Sequence, residues 1–385
     1  MKKICAVTGS RADYGLLSPL LFKLKSSNKF QLQLAVTGTH ISKNHGYTIT
    51  EIVDDGHDID KKIDIKLTDD TPSQIIKSTG MGMIGFSDAF EELKPDLVIL
   101  LGDRFEILSA AFSAFIKNIP IAHIHGGEST EGAYDEGIRH SITKMSFWHF
   151  VATNDYKKRV IQLGEEPGRV FKVGGLGVDL IKQTKLLSKD ELASKLNIDF
   201  KQKNILVTYH PETLSKTSSY KSFSILLDAL NDFKEIYLIF TMPNSDTNSK
   251  IIKTLINDFV EKNNDRAISF DSMGYLNYLS TMNYVDGVVG NSSSGILEAP
   301  TFKIGTINIG ERQKGRHMAN SIIQCKCSKK SIKDSLKKMF SKNFNDKLSL
   351  VKNPYGEGNA SDKIISILEE KEIPLNIKKK FYDIT

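Results

Sequence analysis

Cysteine is scarce: Cys5, Cys325 and Cys327 are the only three in 385 residues. An odd number without the spacing of a paired or four-ligand motif excludes a disulfide framework and a structural zinc site. No stretch approaches the roughly 18–20 consecutive apolar residues of a membrane span. The N-terminal MKKICAVTGSRADYGLL reaches Gly9 too soon for the core of a secretory signal, so a cytoplasmic protein without membrane attachment is expected. A Walker loop and a GxGxxG fingerprint are both missing, which removes the two commonest nucleotide-binding signatures. Neither sign of charge dominates, with 52 Lys and Arg against 46 Asp and Glu. Much of the basic excess sits in Lys326–Lys347 and Lys378–Lys380, which solvated helix faces explain, so no nucleic-acid partner is expected.

What is present is an alternation. Short apolar runs (Ile4–Thr8, Leu32–Thr37, Leu97–Leu101, Pro120–Ile124, Phe150–Ala152, Val170–Val173) are separated by amphipathic stretches, including helical patterns from Tyr14, from Arg104 to Ile116 and from about Asp135 to Phe147. Near-continuous apolar runs suit parallel strands buried on both faces. The rhythm pauses at Gly174-Gly175-Leu176-Gly177, read as a hinge, and restarts with Ile205–Tyr209, Ile236–Phe240, Ala267–Phe270, Gly287–Val289 and Thr306–Ile309. The chain is long enough for two domains. The pattern predicts an α/β protein of two Rossmann-like, doubly wound domains, 1–175 and 176–365, with a tail, 366–385, packing back on the first.

In open α/β sheets ligands bind outside the carboxyl ends of the strands, so the polar residues after each run are the candidates. They are Gly9-Ser10-Arg11, Gly38-Thr39-His40, Gly102-Asp103-Arg104 and His125-Gly126-Gly127-Glu128, with Asp135 opening a helix. In the second half, Gly290-Asn291-Ser292-Ser293-Ser294-Gly295 precedes the helical pattern Ile296–Ala299. Such a turn either binds phosphate through N–H groups and hydroxyls or is an ordinary serine cap. Arg11, Arg104, Arg312 and Arg316 follow strands as well, and their planar forks suit a diphosphate. Asp103, Asp135, Glu128, His125 and His210 are the acid–base candidates. Asp135 reads equally as a helix cap and Asp103 as an ion pair with Arg104. His40 is the weaker candidate, and His140 does not fall on the face of Asp135.

Nine motifs in order, VTGSRADYG (7–15), VTGTH (36–40), LGDRFE (101–106), HIHGGE (123–128), DEGIRHSITK (135–144), YHPET (209–213), PNSD (243–246), GNSSSGILEAP (290–300) and INIGERQKGR (307–316), make the chain resemble the UDP-N-acetylglucosamine 2-epimerases, and within them the hydrolysing branch of sialic acid and related biosynthesis. The resemblance implies a GT-B fold with the active site in the interdomain cleft. It also implies elimination of UDP to a glycal, then hydration with inversion at carbon 2 to give N-acetylmannosamine, with no cofactor and no metal. By the same resemblance Asp103 and Asp135 fall at proton-transfer positions and His210 near the leaving group. Arg11, Arg104, Ser292, Ser293, Glu298 and Arg312 fall at UDP-binding positions, and Asn244 and Asp246 on the uracil side. A homo-oligomer, dimer or tetramer, is the family's habit.

One position departs: many members carry glutamate where this chain has His125. Either His125 takes over the proton transfer as a neutral imidazole or Glu128 assists. HIHGGE also fits relatives acting on UDP- or GDP-linked 2,4-diacetamido-2,4,6-trideoxy sugars. A GT-B glycosyltransferase or a nucleotide-sugar binding module is the remaining alternative, to which the clustered acids are foreign.

Overall fold

The computed structural model of the chain describes residues 1–42, 47–69, 71–130, 134–211, 218–243 and 249–384. They form two compact units. One holds Met1–Glu128, Tyr134–Leu180 and the chain from Tyr355 on; the other holds Ile181–Pro354 with Ser129 and Thr130.

The first unit is built on β1 (Lys2–Thr8), β2 (Phe30–Thr37), β3 (Lys61–Ile63), β4 (Leu97–Leu101), β5 (Ile121–Ile124), β6 (Trp148–Val151) and β7 (Val170–Lys172). These form one parallel sheet in the order β3-β2-β1-β4-β5-β6-β7. Alternate residues of the apolar runs serve opposite faces. Ile4, Ala6, Leu34, Val36, Leu97 and Ile99 pack with the helices Arg11–Ser26 and Ala360–Glu370. Cys5, Val7, Ala35, Val98 and Leu100 pack with Pro72–Leu93 and Phe105–Ile116. Strand order reverses between β1 and β4, and the crevice at that reversal is where an open α/β sheet takes its ligand.

The second unit repeats the plan with β8 (Asn204–Thr208), β9 (Tyr237–Thr241), β10 (Ala267–Phe270), β11 (Gly287–Gly290), β12 (Gly305–Ile309) and β13 (Ile322–Cys325), ordered β10-β9-β8-β11-β12-β13 and all parallel. Its reversal lies between β8 and β11. The doubly wound reading of both halves therefore holds. The edge strands β3 and β13 are additions to it. Cys5, Cys325 and Cys327 are free thiols, and among the described residues no helix is long and apolar enough to cross a membrane.

Two assignments need correction. Residues 176–180 and 355–365, expected in the second domain, belong to the first unit. The cause is a buried cap: Asp179 accepts Ala360 N at 2.7 Å, Ser361 N at 2.6 Å and Ser361 Oγ at 2.6 Å, seating the helix Ala360–Glu370 so that Ile364 and Leu368 are buried against Leu17 and Leu21. Each such side chain contributes about 1.5–3 kcal/mol. The Gly174–Gly177 hinge is likewise displaced. Gly175 N donates to Tyr355 O at 2.7 Å inside the first unit, and the chain passes from unit to unit at 180–181 and 354–355, besides the excursion that begins at 128–129.

The tail is anchored through a buried carboxylate. Lys379 Nζ reaches Glu165 at 2.7 Å and Ser146 O at 2.6 Å, and His149 Nε2 donates to Glu165 at 3.0 Å. Burial alone would push Glu165 up, but His149, Lys144 and Lys379 outweigh it and hold the carboxyl down at about 2, from an ordinary 4.5. A depressed folded pKa stabilises above the unfolded value and is lost as pH falls. The contribution is thus fully present above about pH 5 and disappears towards pH 2. Glu165→Gln is expected to lower stability at pH 7 by on the order of 3 kcal/mol and to flatten the acid limb of the unfolding curve. Urea titrations at pH 7 and pH 3 check both.

Candidate active site

At the first reversal, β1 runs into Gly9 and Ser10, and Ser10 Oγ accepts Asp13 N at 3.3 Å to cap the helix that follows. Gly9 is required here by a neighbour. A Cβ would stand 2.5 Å from Glu106 Cγ, and Glu106, with its side chain fully buried, reaches past it to Arg104 Nε at 2.5 Å. Arg104 keeps 41% of its side chain exposed, and Glu106 fixes the direction of its guanidinium. Its charge is reinforced first by Glu106, then by Asp13 and Asp135, against the cost of burial. Arg104 therefore pairs with Glu106, which removes the alternative reading of Asp103 as its ion-pair partner.

Asp103 belongs instead to Arg139. That arginine, 3% exposed, grips Asp103 Oδ2 and spans Glu136 at 3.0 Å and the Glu128 carbonyl at 2.9 Å. Gly102, at φ +77°, turns the chain so that Asp103 leaves the strand end. Asp135 is the first residue of the helix Asp135–Met145, whose N-cap is Tyr134, so the capping reading of Asp135 is corrected. Its carboxyl is pushed up to about 6 by burial and then by Asp103, with Arg104 and Arg139 opposing. Asp13 is also raised to about 6, by burial and then Glu106 and Asp103, against Arg104 and Ser10. Carboxyls poised there exchange protons readily near neutral pH.

His125 follows β5 in the left-handed region, φ +67°, with Nδ1 3.5 Å from Glu128 Oε1 and Leu176 N–H donating to Nε2 at 3.4 Å. A donor aimed at Nε2 requires a lone pair there, which places the neutral ring's proton on Nδ1, towards Glu128. His125 and Glu128 thus lie within ion-pair distance of each other, beyond hydrogen-bond reach. His40 is a wall residue: its nitrogens meet Thr8 Oγ1 at 3.0 Å and Thr48 Oγ1 at 2.8 Å, and burial pushes it down to about 4. Arg11 pairs with Glu51 at 3.1 Å, both half-exposed.

At the second reversal, Asn291 joins the ends of β8 and β11. His210 N donates to Asn291 Oδ1 at 2.7 Å, and Asn291 Nδ2 donates to His210 O at 2.9 Å. The Asn291 carbonyl accepts Arg312 Nη1 at 3.1 Å and Gln313 Nε2 at 2.9 Å. One residue therefore holds the His210 backbone through its side-chain amide and Arg312 through its main-chain carbonyl. Burial, then Arg312, pushes His210 down to about 3, so it acts as a neutral imidazole. The following helix, Ser294–Leu297, is a single turn that starts two residues before the sequence pattern Ile296–Ala299, and its dipole is correspondingly small. Ser293 occupies the N-cap without a side-chain capping bond, which removes the ordinary explanation for that hydroxyl. Ser292 Oγ lies 3.2 Å from Ser294 Oγ, which meets Tyr278 OH at 2.6 Å. Glu298 is partly buried and pushed up to about 7 by that burial. Asn244 and Asp246 lie outside the described residues.

Each reversal gathers its own set of groups. The first has electrostatically coupled acids, an imidazole and an arginine; the second has hydroxyls, an arginine, a neutral histidine and a carboxyl able to accept hydroxyl groups. Sequence reasoning missed Glu106, Arg139, Asp13, Asn291, Gln313 and Tyr278. Asp13 and Glu106 stand within quoted motifs, yet no spacing announces that one guanidinium draws on both.

The chain matches the family described as UDP-N-acetylglucosamine 2-epimerase over residues 22–369. It is 42% identical over 343 residues, 89% of this chain and 88% of the relative, to a GDP/UDP-N,N'-diacetylbacillosamine 2-epimerase (hydrolyzing) of Campylobacter jejuni. It is 41% identical over 386 residues, 100% of this chain and 98% of the relative, to the polysialic acid biosynthesis protein P7 of Escherichia coli. The structure is similar, with a TM-score of 0.83 at 19% identity over 96% of this chain and 100% of the other, to a UDP-GlcNAc 2-epimerase from Neisseria meningitidis bound to UDP-GlcNAc.

Proposed function

The chain belongs to the UDP-N-acetylglucosamine 2-epimerase family, and from that premise we propose that it is a hydrolysing 2-epimerase of a UDP-linked 2,4-diacetamido-2,4,6-trideoxy sugar. The observation that carries this reading is the 42% identity to the hydrolysing Campylobacter jejuni enzyme named for diacetylbacillosamine. In the proposed reaction a base takes the proton from carbon 2, and the carbon 1–oxygen bond breaks with its electron pair leaving on UDP. Water then adds its oxygen to carbon 1 of the glycal, and carbon 2 is protonated on the opposite face. The products are UDP and the free 2-epimeric sugar.

The proton transfers fall to Asp103, Asp135 and the His125–Glu128 pair. Asp135, raised to about 6, is suited to give up a proton in one step and recover it in the other. Arg11, Arg104, Arg312, Ser292 and Ser293 are the donors suited to a departing pyrophosphate. Glu298 is suited to the ribose hydroxyls, and neutral His210 donates without adding charge.

A second reading, the same reaction on UDP-N-acetylglucosamine giving N-acetylmannosamine, is favoured by the full-length likeness to the polysialic acid biosynthesis protein. Proton NMR in heavy water separates the readings, offering the UDP- and GDP-linked diacetamido sugars and UDP-N-acetylglucosamine in turn. Free UDP with deuterium at carbon 2 of the released diacetamido sugar is the expected result. Turnover of UDP-N-acetylglucosamine alone moves the assignment to the second reading. A 2-epimer still linked to UDP marks a non-hydrolysing enzyme, and no exchange at carbon 2 leaves a transferase or a binding module.

A further inference from the structure

His123 has no part in the roles above, yet it is fully buried in β5, opposite Leu100 of β4. Its Nε2 lies 2.8 Å from the Gly102 carbonyl and its Nδ1 3.2 Å from Thr143 Oγ1. A carbonyl only accepts, so Nε2 carries the proton and Nδ1 offers a lone pair to the Thr143 hydroxyl. The same hydroxyl also reaches the Arg139 carbonyl at 3.0 Å, which has a second lone pair beyond the one used in the helix's own ladder, so its single proton is shared between that carbonyl and Nδ1. Gly126 leaves room for the contact, since a Cβ there would stand 3.1 Å from both His123 Nδ1 and Thr143 Oγ1.

We infer that His123 is a positioning residue: it ties the Gly102 carbonyl, one peptide from Asp103, to Thr143 on the helix that carries Asp135 and Arg139, and so fixes the two acids relative to each other. The inference rests on the hydrolysing 2-epimerase reading. Burial pushes the imidazole down to about 3, so it stays neutral over the working range and transfers no proton. Asp103 is then held twice, through its own backbone by His123 and through its carboxylate by Arg139. Both holds lead to the same helix.

The test compares His123→Phe with His123→Gln, whose amide N–H can still donate to Gly102. Reacting groups misplaced by about 1 Å lose about 10²-fold in rate. His123→Phe is therefore expected to lower kcat by about that factor, with KM and UDP affinity unchanged within about threefold. His123→Gln recovers most of the loss, and the limbs of the pH profile stay where they are in both variants. A folded His123→Phe protein with wild-type kcat overturns the inference, as does a lost pH limb that His123→Gln fails to restore, which would make His123 a proton carrier. Should His123→Phe fail to fold, Gly126→Ala puts a methyl group into the same contact with the ring intact. A tenfold or greater fall in kcat supports the inference on that scale, and an unchanged kcat sinks it. Absence of wild-type turnover on every sugar would instead sink the function reading itself.

Discussion

Asparagine at position 103 is expected to lower kcat by about 10²–10⁴-fold, the scale of a lost general acid or base, while UDP binds as before. Asp103 is not among the groups assigned to the nucleotide, and the neighbouring Arg104 is held by Glu106 rather than by Asp103. The exchange of oxygen for nitrogen preserves shape but removes the carboxylate gripped by Arg139. Arg139 retains Glu136 and the Glu128 carbonyl, so the helix should stay seated. A second consequence distinguishes a lost proton carrier from a disturbed fold. Burial and then Asp103 raise Asp135. With the Asp103 charge gone, only the second cause is removed, and the Asp135 limb of the residual activity should move to lower pH. Steady-state kinetics across pH 4–9, with UDP affinity measured alongside, checks both parts. Wild-type kcat in Asp103→Asn would end the proton-transfer assignment.

The sequence shows where side chains leave the strands better than it shows what they then hold. Asp103, Arg104, His125, His210 and Ser292 are legible because each follows a buried apolar run, and parallel strands bring their carboxyl ends to one edge. Their partners are not legible. Asp103 and Arg104 are neighbours that suggest a pair, but φ +77° at Gly102 and a buried Glu106 send them to different partners. Nor does any periodicity mark His125 as left-handed.

The same division runs through the fold. Long apolar strands are plain, whereas β3 has three residues, two of them lysines, and β13 alternates like any half-exposed edge. The helix Pro72–Leu93 holds Gly80, Gly82 and Gly85, and Gly82 and Gly85 are where it approaches Ser109 and Ile63, a use of glycine that only the packing reveals. The placement of residues 355–365 in the first unit follows from Asp179 capping a helix 181 residues further along. Local propensity carries no trace of a contact that distant.

Gly290→Ala is the substitution expected to do most damage to the structure. Gly290 ends β11 at φ +146°, paired with Thr208 of β8 on one side and Asn308 of β12 on the other. A Cβ would stand 1.9 Å from Thr208 O and 2.7 Å from Thr208 C, backbone atoms that cannot turn aside as a side chain can. That carbonyl also accepts Asn291 N at 3.2 Å. To admit a methyl group, β8 and β11 must part at the ends that carry His210 and Asn291. Backbone strain and a broken ladder together should cost about 3 kcal/mol or more. The unfolding midpoint of this unit should fall by about 6–12 °C, and UDP affinity should fall with it, because Arg312 is held through the Asn291 carbonyl. Gly80→Ala is the matching control. Gly80 lies in the helix Pro72–Leu93 with open space around it, so alanine there should stabilise by about 0.5–1 kcal/mol. Calorimetry on the two variants reads opposite signs from the same chemical change. A Gly290→Ala protein with the wild-type midpoint would show that β8 and β11 separate at little cost, and the second reversal could not then be the rigid mount that the nucleotide assignment requires.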